Sequence, residues 1–189
     1  VRPLMLGLVL LPFWVSVLIR SFAWIVLLGR SGLVNDALMD TGLIATPIRF
    51  MHNETGVLIA MVHVMLPFAV LPMLTNMRGI PGSYMKAARG LGASEWRAFR
   101  EVYFPQTLPG VFSGGLLVFV LSLGFYITPA LLGGGRVMMI SEYITYQIQE
   151  FLNWGLGAAL SVALLGATAV VLLAASRFVN LRKTFLERN

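Results

Sequence analysis

Residues 78–110, RGIPGSYMKAARGLGASEWRAFREVYFPQTLPG, form a basic, helix-capable stretch set between two strongly apolar ones. The surrounding chain is 58% hydrophobic and 12% charged, against roughly 25% charged residues in a soluble domain. That balance belongs to a polytopic membrane protein. Four runs, about 4–28, 56–77, 111–132 and 155–176, are apolar enough to span the membrane; a helix needs roughly 20 residues to cross about 30 Å of hydrocarbon. The alternating pattern of barrel strands is missing. The expected fold is therefore all-α, a polytopic membrane helical bundle in one transmembrane domain over 1–189. A chain built for lipid that spends this much length on a polar loop is expected to use it on something outside the membrane. There is no cysteine, which removes disulfide and thiolate chemistry. The chain opens on Val1 and enters its first span almost at once, so upstream sequence is expected.

Charge sets the orientation. Arg2, Arg78, Lys86, Arg89, Arg97, Arg100, Arg177, Arg182, Lys183 and Arg188 are ten of the fourteen basic residues, and all fall on one side. The opposite loops hold Arg30, Arg49 and Arg136, together with five of the eight acidic residues. Because positive loops stay inside, loop 78–110 and the C-terminus are expected in the cytoplasm, with 29–55 and 133–154 outside. The formal charge of +6 is accounted for by this topology and by anionic lipid, without a nucleic-acid partner.

Several span residues are candidates for a translocation path. Arg20 lies about 25 Å along the first span, near the outer interface, where it can snorkel, with Trp24 one turn on. Its alternative is an interhelical or pathway role. His63, about 11 Å in from the outer end of the second span, suits a hydrogen bond between helices or a substrate contact. Pro67 and Pro72 are expected to bend that span. Gly124, Phe125 and Tyr126, ahead of Pro129, suit a gate, an aromatic lining or plain packing. Small residues in the third span, Ser113, Gly114 and Gly115 among them, allow close helix approach. Ile140, Ile144, Ile148 and Phe151 recur at helical spacing, with Glu142, Thr145, Gln149 and Glu150 on other faces, as in an amphipathic helix at the outer surface.

Within loop 78–110, Ser83 can cap a helix from Tyr84 that puts Tyr84, Ala88 and Leu91 on one face. Gly90 or Gly92 suits a left-handed stop. Ser94 can cap a second helix bearing Trp96, Phe99 and Tyr103, with Pro105 ending it. Two short helices with small, backbone-exposing positions make a knob for a groove on another protein. The alternative is an interfacial helix on membrane lipid.

Lys86-Ala87-Ala88, three residues, Gly92, nine residues, then Val102-Tyr103-Phe104-Pro105 resembles the E-A-A–x3–G–x9–I-x-L-P loop of membrane permease subunits of binding-protein-dependent ABC importers. The resemblance extends to the spermidine/putrescine-transport-like branch through LLPFWVSVLIRSFAWIVLLG (10–29), GASEWRAF (92–99), FPQTLPG (104–110), TPALLGG (128–134) and WGLGAALS (154–161). Two positions depart from the pattern: Lys86 stands where the motif has Glu, and Gly90 where an acidic residue is frequent. The resemblance implies a type I importer permease fold of six spans. The four here correspond to the last four, so a fragment or an alternative start is expected. It further implies an inner-membrane, multi-pass subunit whose coupling loop is Lys86, Ala87, Ala88, Leu91, Gly92, Val102 and Pro105. The implied partners are cytoplasmic ATP-binding subunits, a second permease subunit and an extracytoplasmic solute-binding protein. ATP is used by the partner ATPase, and no cofactor is bound by this chain. The cargo is a small organic solute, polyamine-like, opine-like or related.

Two other function classes fit the residues less well. An ion-coupled secondary transporter commonly places carboxylates within the bilayer, whereas all eight acidic residues lie outside the four expected spans. For a membrane enzyme, Gly110-Val111-Phe112-Ser113-Gly114 lacks the G-x-S-x-G spacing of a nucleophile elbow. Neither Lys86 nor Lys183 follows a glycine, so the chain has no phosphate loop of its own.

Overall fold

The computed structural model describes residues 7, 11 and 13–186, with side-chain surroundings as far as Arg177. Its first helices are α1 (Val17–Leu28), α2 (Leu33–Asp40), α3 (Glu54–Arg78), α4 (Ser83–Gly90) and α5 (Glu95–Ala98). A π-helical turn, Phe99–Tyr103, leads into α6 (Phe104–Leu123), followed by α7 (Ile127–Gly133), α8 (Ile140–Gln149) and α9 (Trp154–Leu186). No strand occurs among the described residues, as the all-α reading requires. Four segments are long and apolar enough to cross a membrane: Val17–Asp40, Glu54–Arg78, Glu95–Leu123 and Trp154–Arg177. Arg2 and Arg188, and most of the first span before residue 13, lie outside the described residues.

Two expected spans need correction. The first is broken at Val15 and Ser16, and its intact helix begins only at Val17. The third begins far earlier than residue 111, because helix is continuous from Glu95, and it stops at Leu123 rather than 132. Pro129 explains the stop. A helical Pro129 would strip the Phe125 carbonyl of its donor and clash with it. Instead, Phe125 N–H turns back onto Ser122 O at 3.2 Å, and α7 restarts with Pro129 in its first turn, where a missing N–H costs nothing. Ser141 Oγ donates to the orphaned Phe125 carbonyl at 2.7 Å.

The contacts separate two compact units: Val1–Pro67 with Leu121–Thr168, and Phe68–Val120 with Ala169–Asn189. In the first, α1 packs on α7, and buried Ser21 and Thr128 share a 3.0 Å hydroxyl hydrogen bond. Asn35 is fully buried on α2 and spends its whole amide on backbone. Its Nδ2 donates to Gly29 O and Ile48 O at 3.0 Å each, and its Oδ1 accepts from Ile48 N–H at 2.8 Å. One side chain thus ties the turn after α1 to the segment leading into α3. Glu142 is also buried, beside Ile144 on α8. This corrects the expectation that α8 turns its carboxylates away from its apolar face. Burial pushes the Glu142 carboxyl above the ordinary carboxylate range, partly offset by a backbone hydrogen bond from Met139.

In the second unit, glycine sets how closely α3 and α6 approach. A Cβ on Gly114 would sit 2.5 Å from Ala69 O, and one on Gly110 would sit 2.6 Å from Asn76 Cβ. This is the small-x3-small geometry of close membrane helix pairs. Helix α3 runs unbroken through Pro67 and Pro72.

Two outcomes follow from the first unit. Asn35→Ala removes three part-buried hydrogen bonds and leaves Ile48 N–H and O without their side-chain partner, while Gly29 O keeps its bond from Gly32 N–H. It is expected to cost on the order of 1–3 kcal/mol, read as a lower thermal unfolding midpoint in detergent. Glu142 holds its proton more tightly folded than unfolded, so its contribution favours the fold at low pH and is lost as pH rises above the ordinary carboxylate range. Glu142→Gln should therefore be more stable than wild type at neutral pH, and the gap should close on acidification.

Candidate functional site

Loop 78–110 folds as the expected pair of short helices. Gly92 has φ +87°, and the end of α4 closes with Gly92 N–H donating to Arg89 O and Ala93 N–H to Ala88 O. This double closure is a Schellman stop, in which the left-handed position favours glycine. Ser94 caps α5 by accepting from Arg97 N–H at 3.3 Å. Ser83, in contrast, is the first residue of α4 and makes no capping bond; Gly82 occupies the cap. Arg89 and Glu95 pair at 3.0 Å across the glycine joint, and Arg97 and Glu101 pair one turn apart. Both pairs are solvent-exposed, so they orient the hairpin more than they stabilise it.

The expected aromatic face forms a ladder. Trp96 stacks on Phe99, and Phe99 on Tyr103, with ring centroids 5.8 Å apart in each case. Pro105 does not end this helix. The π-helical turn absorbs it: Phe104 N–H steps back five residues to Phe99 O, which shifts the hydrogen-bond register ahead of the residue with no N–H. Gln106 Nε2 donates to Val102 O at 3.0 Å. The second arm of the hairpin is thereby one continuous helix with the candidate span Glu95–Leu123.

None of the residues of α4 is buried. Lys86 and Ala87 are exposed, Ala88 half-buried, and Leu91 is 91% exposed at the tip. Val102 and Pro105 are half-buried on the second arm. The hairpin therefore presents backbone, small side chains and a bare Leu91 outward, together with exposed Tyr84 and Trp96, the latter stacked on Phe99.

The candidate pathway residues fall in two places. Arg20 does not snorkel; it is 7% exposed, and its Nη2 donates to Val15 O at 2.7 Å, the carbonyl that the break before α1 leaves without a helical donor. One turn on, Trp24 Nε1 donates to His63 Nδ1 at 3.1 Å, and the rings meet edge to face. This is the interhelical bond that His63 suited, and it puts the imidazole lone pair on Nδ1. Phe125 and Tyr126 sit apart from this pair, at the joint of α6 and α7. A further constellation was not singled out from sequence. Arg30, Arg49, His52 and Arg136 line one cleft, although they are scattered over about a hundred residues. The only sequence signal was that three of these four carry the positive charge of the otherwise acidic loops.

Comparisons with known proteins bear on the family and the fold. The spermidine/putrescine transport system permease protein PotB of Haemophilus influenzae is 38% identical over 163 residues, covering 86% of this chain and 57% of its own length. PotB of Escherichia coli is 37% identical, covering 87% of this chain and 60% of its own. A putative 2-aminoethylphosphonate transport system permease protein of Salmonella paratyphi A is 33% identical over 54% of this chain and 36% of its own length. The chain thus spans less than two thirds of the relatives it matches. Among solved structures, a bacterial ABC transporter involved in the import of alginate superposes with TM-score 0.69 at 19% identity, over 94% of this chain and 65% of that one. The same kind of transporter in complex with a pentasaccharide-bound periplasmic protein gives 0.71 at 21%, over 92% and 63%. These last two likenesses speak to the fold. Residues 1–183 match the family model for the binding-protein-dependent transport system inner membrane component, and the chain belongs to that family.

Proposed function

We propose that this chain is the permease subunit of an ATP-driven importer and that hairpin 83–105 is its handle for a separate ATPase. The observation that carries this reading is the construction of α4. It buries nothing of its own, shows Leu91 bare, and is locked by the Gly92 stop to an arm that continues unbroken into a span. An exposed apolar tip on a rigid support is the surface expected of a partner site. A push on α4 reaches the span through helix, which transmits displacement where a flexible loop would absorb it. The hairpin and C-terminus face the cytoplasm in this reading, and ATP is hydrolysed by the partner, not by this chain, which binds no cofactor.

Lys86, Ala87, Ala88, Leu91 and Gly92 form the docking face, with Val102 and Pro105 anchoring it to the span. Lys86 reverses the charge of the family's glutamate, so docking here relies on shape and on Leu91, not on a salt bridge through that position. A second permease subunit completes the pore, and an extracytoplasmic binding protein delivers the solute to the loops opposite the hairpin. That solute is a small organic molecule, in the range from polyamine-like to opine-like that relatives named for spermidine, putrescine and 2-aminoethylphosphonate transport suggest.

Ala88→Trp places a large side chain on the docking face, a misfit of about 1–3 kcal/mol. Uptake by the reconstituted transporter should fall on the order of tenfold, with membrane insertion and ligand capture by the binding protein unchanged. Gly92→Ala meets no neighbouring atom but forces a left-handed alanine, about 1–2 kcal/mol, and should produce a milder loss. Full uptake in Ala88→Trp, measured with radiolabelled solute in proteoliposomes, would overturn the docking role.

A further inference from the structure

The cleft of about 480 Å³ lined by Arg30, Arg49, His52 and Arg136 belongs to the first unit and plays no part in the hairpin. Three segments build it: the turn after α1 with Arg30, residues 49–52, and the turn at 133–136. His52 N–H donates to Leu132 O at 2.9 Å, pinning residues 49–52 against the turn at 133–136. Asn53 Nδ2 holds the Arg49 carbonyl. His52 has φ +59°, a left-handed conformation that non-glycine residues seldom adopt. Gly134 and Gly135 are also left-handed, and a Cβ on Gly134 would overlap His52 Nδ1. The imidazole therefore lies directly against glycine backbone, which leaves the adjoining space open. Uncommon backbone of this kind persists where the surroundings enforce it, and it clusters at ligand sites.

The charge around the cleft has no counterweight. Among the described residues, Arg30, Arg49 and Arg136 make no ion pair; the ion pairs present involve Arg89 and Arg97. Three guanidiniums around one concavity repel one another and repel any cation. They offer forked donors shaped for carboxylate, phosphate or phosphonate oxygens. The volume lies within the range of small-ligand sites, roughly 300–1,000 Å³.

We propose that this cleft binds the anionic head, carboxylate or phosphonate, of a small solute at the outer entrance. The proposal takes its outer placement from the importer reading and narrows the cargo of that reading to acidic solutes, such as amino-acid derivatives, over bare polyamines.

The test is calorimetric titration of the full chain in zwitterionic nanodiscs with methylphosphonate and with succinate, using putrescine as the cationic control. Saturable binding of at least one anion and none of putrescine is expected. Arg49→Gln and Arg136→Gln should each weaken it by roughly tenfold, while Arg97→Gln on the hairpin leaves it unchanged. Adding phosphatidylglycerol to the discs separates a soluble ligand from a lipid headgroup. Binding of the soluble anion should survive that addition. Absence of anion binding, equal binding by putrescine, indifference to both glutamine variants, or displacement by the lipid would each overturn the proposal. Because no ATPase is present, failure here leaves the docking role standing, and loss of coupling in Ala88→Trp leaves the cleft standing.

Discussion

Inside a membrane, a backbone carbonyl that loses its helical donor finds no water to replace it. Two breaks in the helices of this chain are matched by a polar side chain aimed at the orphaned group: Arg20 covers Val15 O and Ser141 covers Phe125 O. Asn35 adds a bond to Gly29 O, which also accepts from Gly32 N–H, and ties in Ile48. Gln106 reaches Val102 O, where the π-helical turn passes Pro105. Arg20 illustrates the point: the feature that looked like a costly charge in a span is the donor that makes the break before α1 tolerable.

The hairpin follows the opposite logic. It keeps its polar groups in solvent and its ion pairs exposed, and gains order from local devices: a Schellman stop, a serine cap and three stacked rings. None of these depends on a neighbouring helix. The structure can therefore leave most of α4 uncovered, with only Met85 and Ala88 half-buried, without losing its shape. The π-helical turn links this self-sufficient hairpin to a membrane helix with no break in the rod.

Basic residues differ in how they are placed. Arg89 and Arg97 of the hairpin are paired with glutamates, whereas Arg30, Arg49 and Arg136 gather unpaired at one cleft of the first unit. The topological rule counts both groups in the same way, but they differ physically. The first group is solvated or paired charge, and the second is charge concentrated at one concavity.

Much was legible in residue order. Spans two and four, the all-α class, the Ser94 cap, the Gly92 stop and the Trp96-Phe99-Tyr103 ladder are local, set by apolar run length, helical period and left-handed propensity. Some of what residue order did not reveal is local: the π-helical turn that carries helix through Pro105 rests on Phe99 and Phe104, and the break at Val15 and Ser16 is met by Arg20. The rest, such as the burial of Glu142, depends on partners distant along the chain. Asn35 looks like any loop asparagine until Ile48 is brought beside it, and Arg30, Arg49, His52 and Arg136 meet through the fold, where His52 N–H bonds to Leu132 O. Sequence by itself determined where this chain is apolar and where its short helices start and stop, because those depend on neighbours within about one helical turn. Tertiary structure alone decided which polar groups are satisfied and which charges converge, because hydrogen bonds and Coulomb forces act between residues near in space, however far apart in the chain.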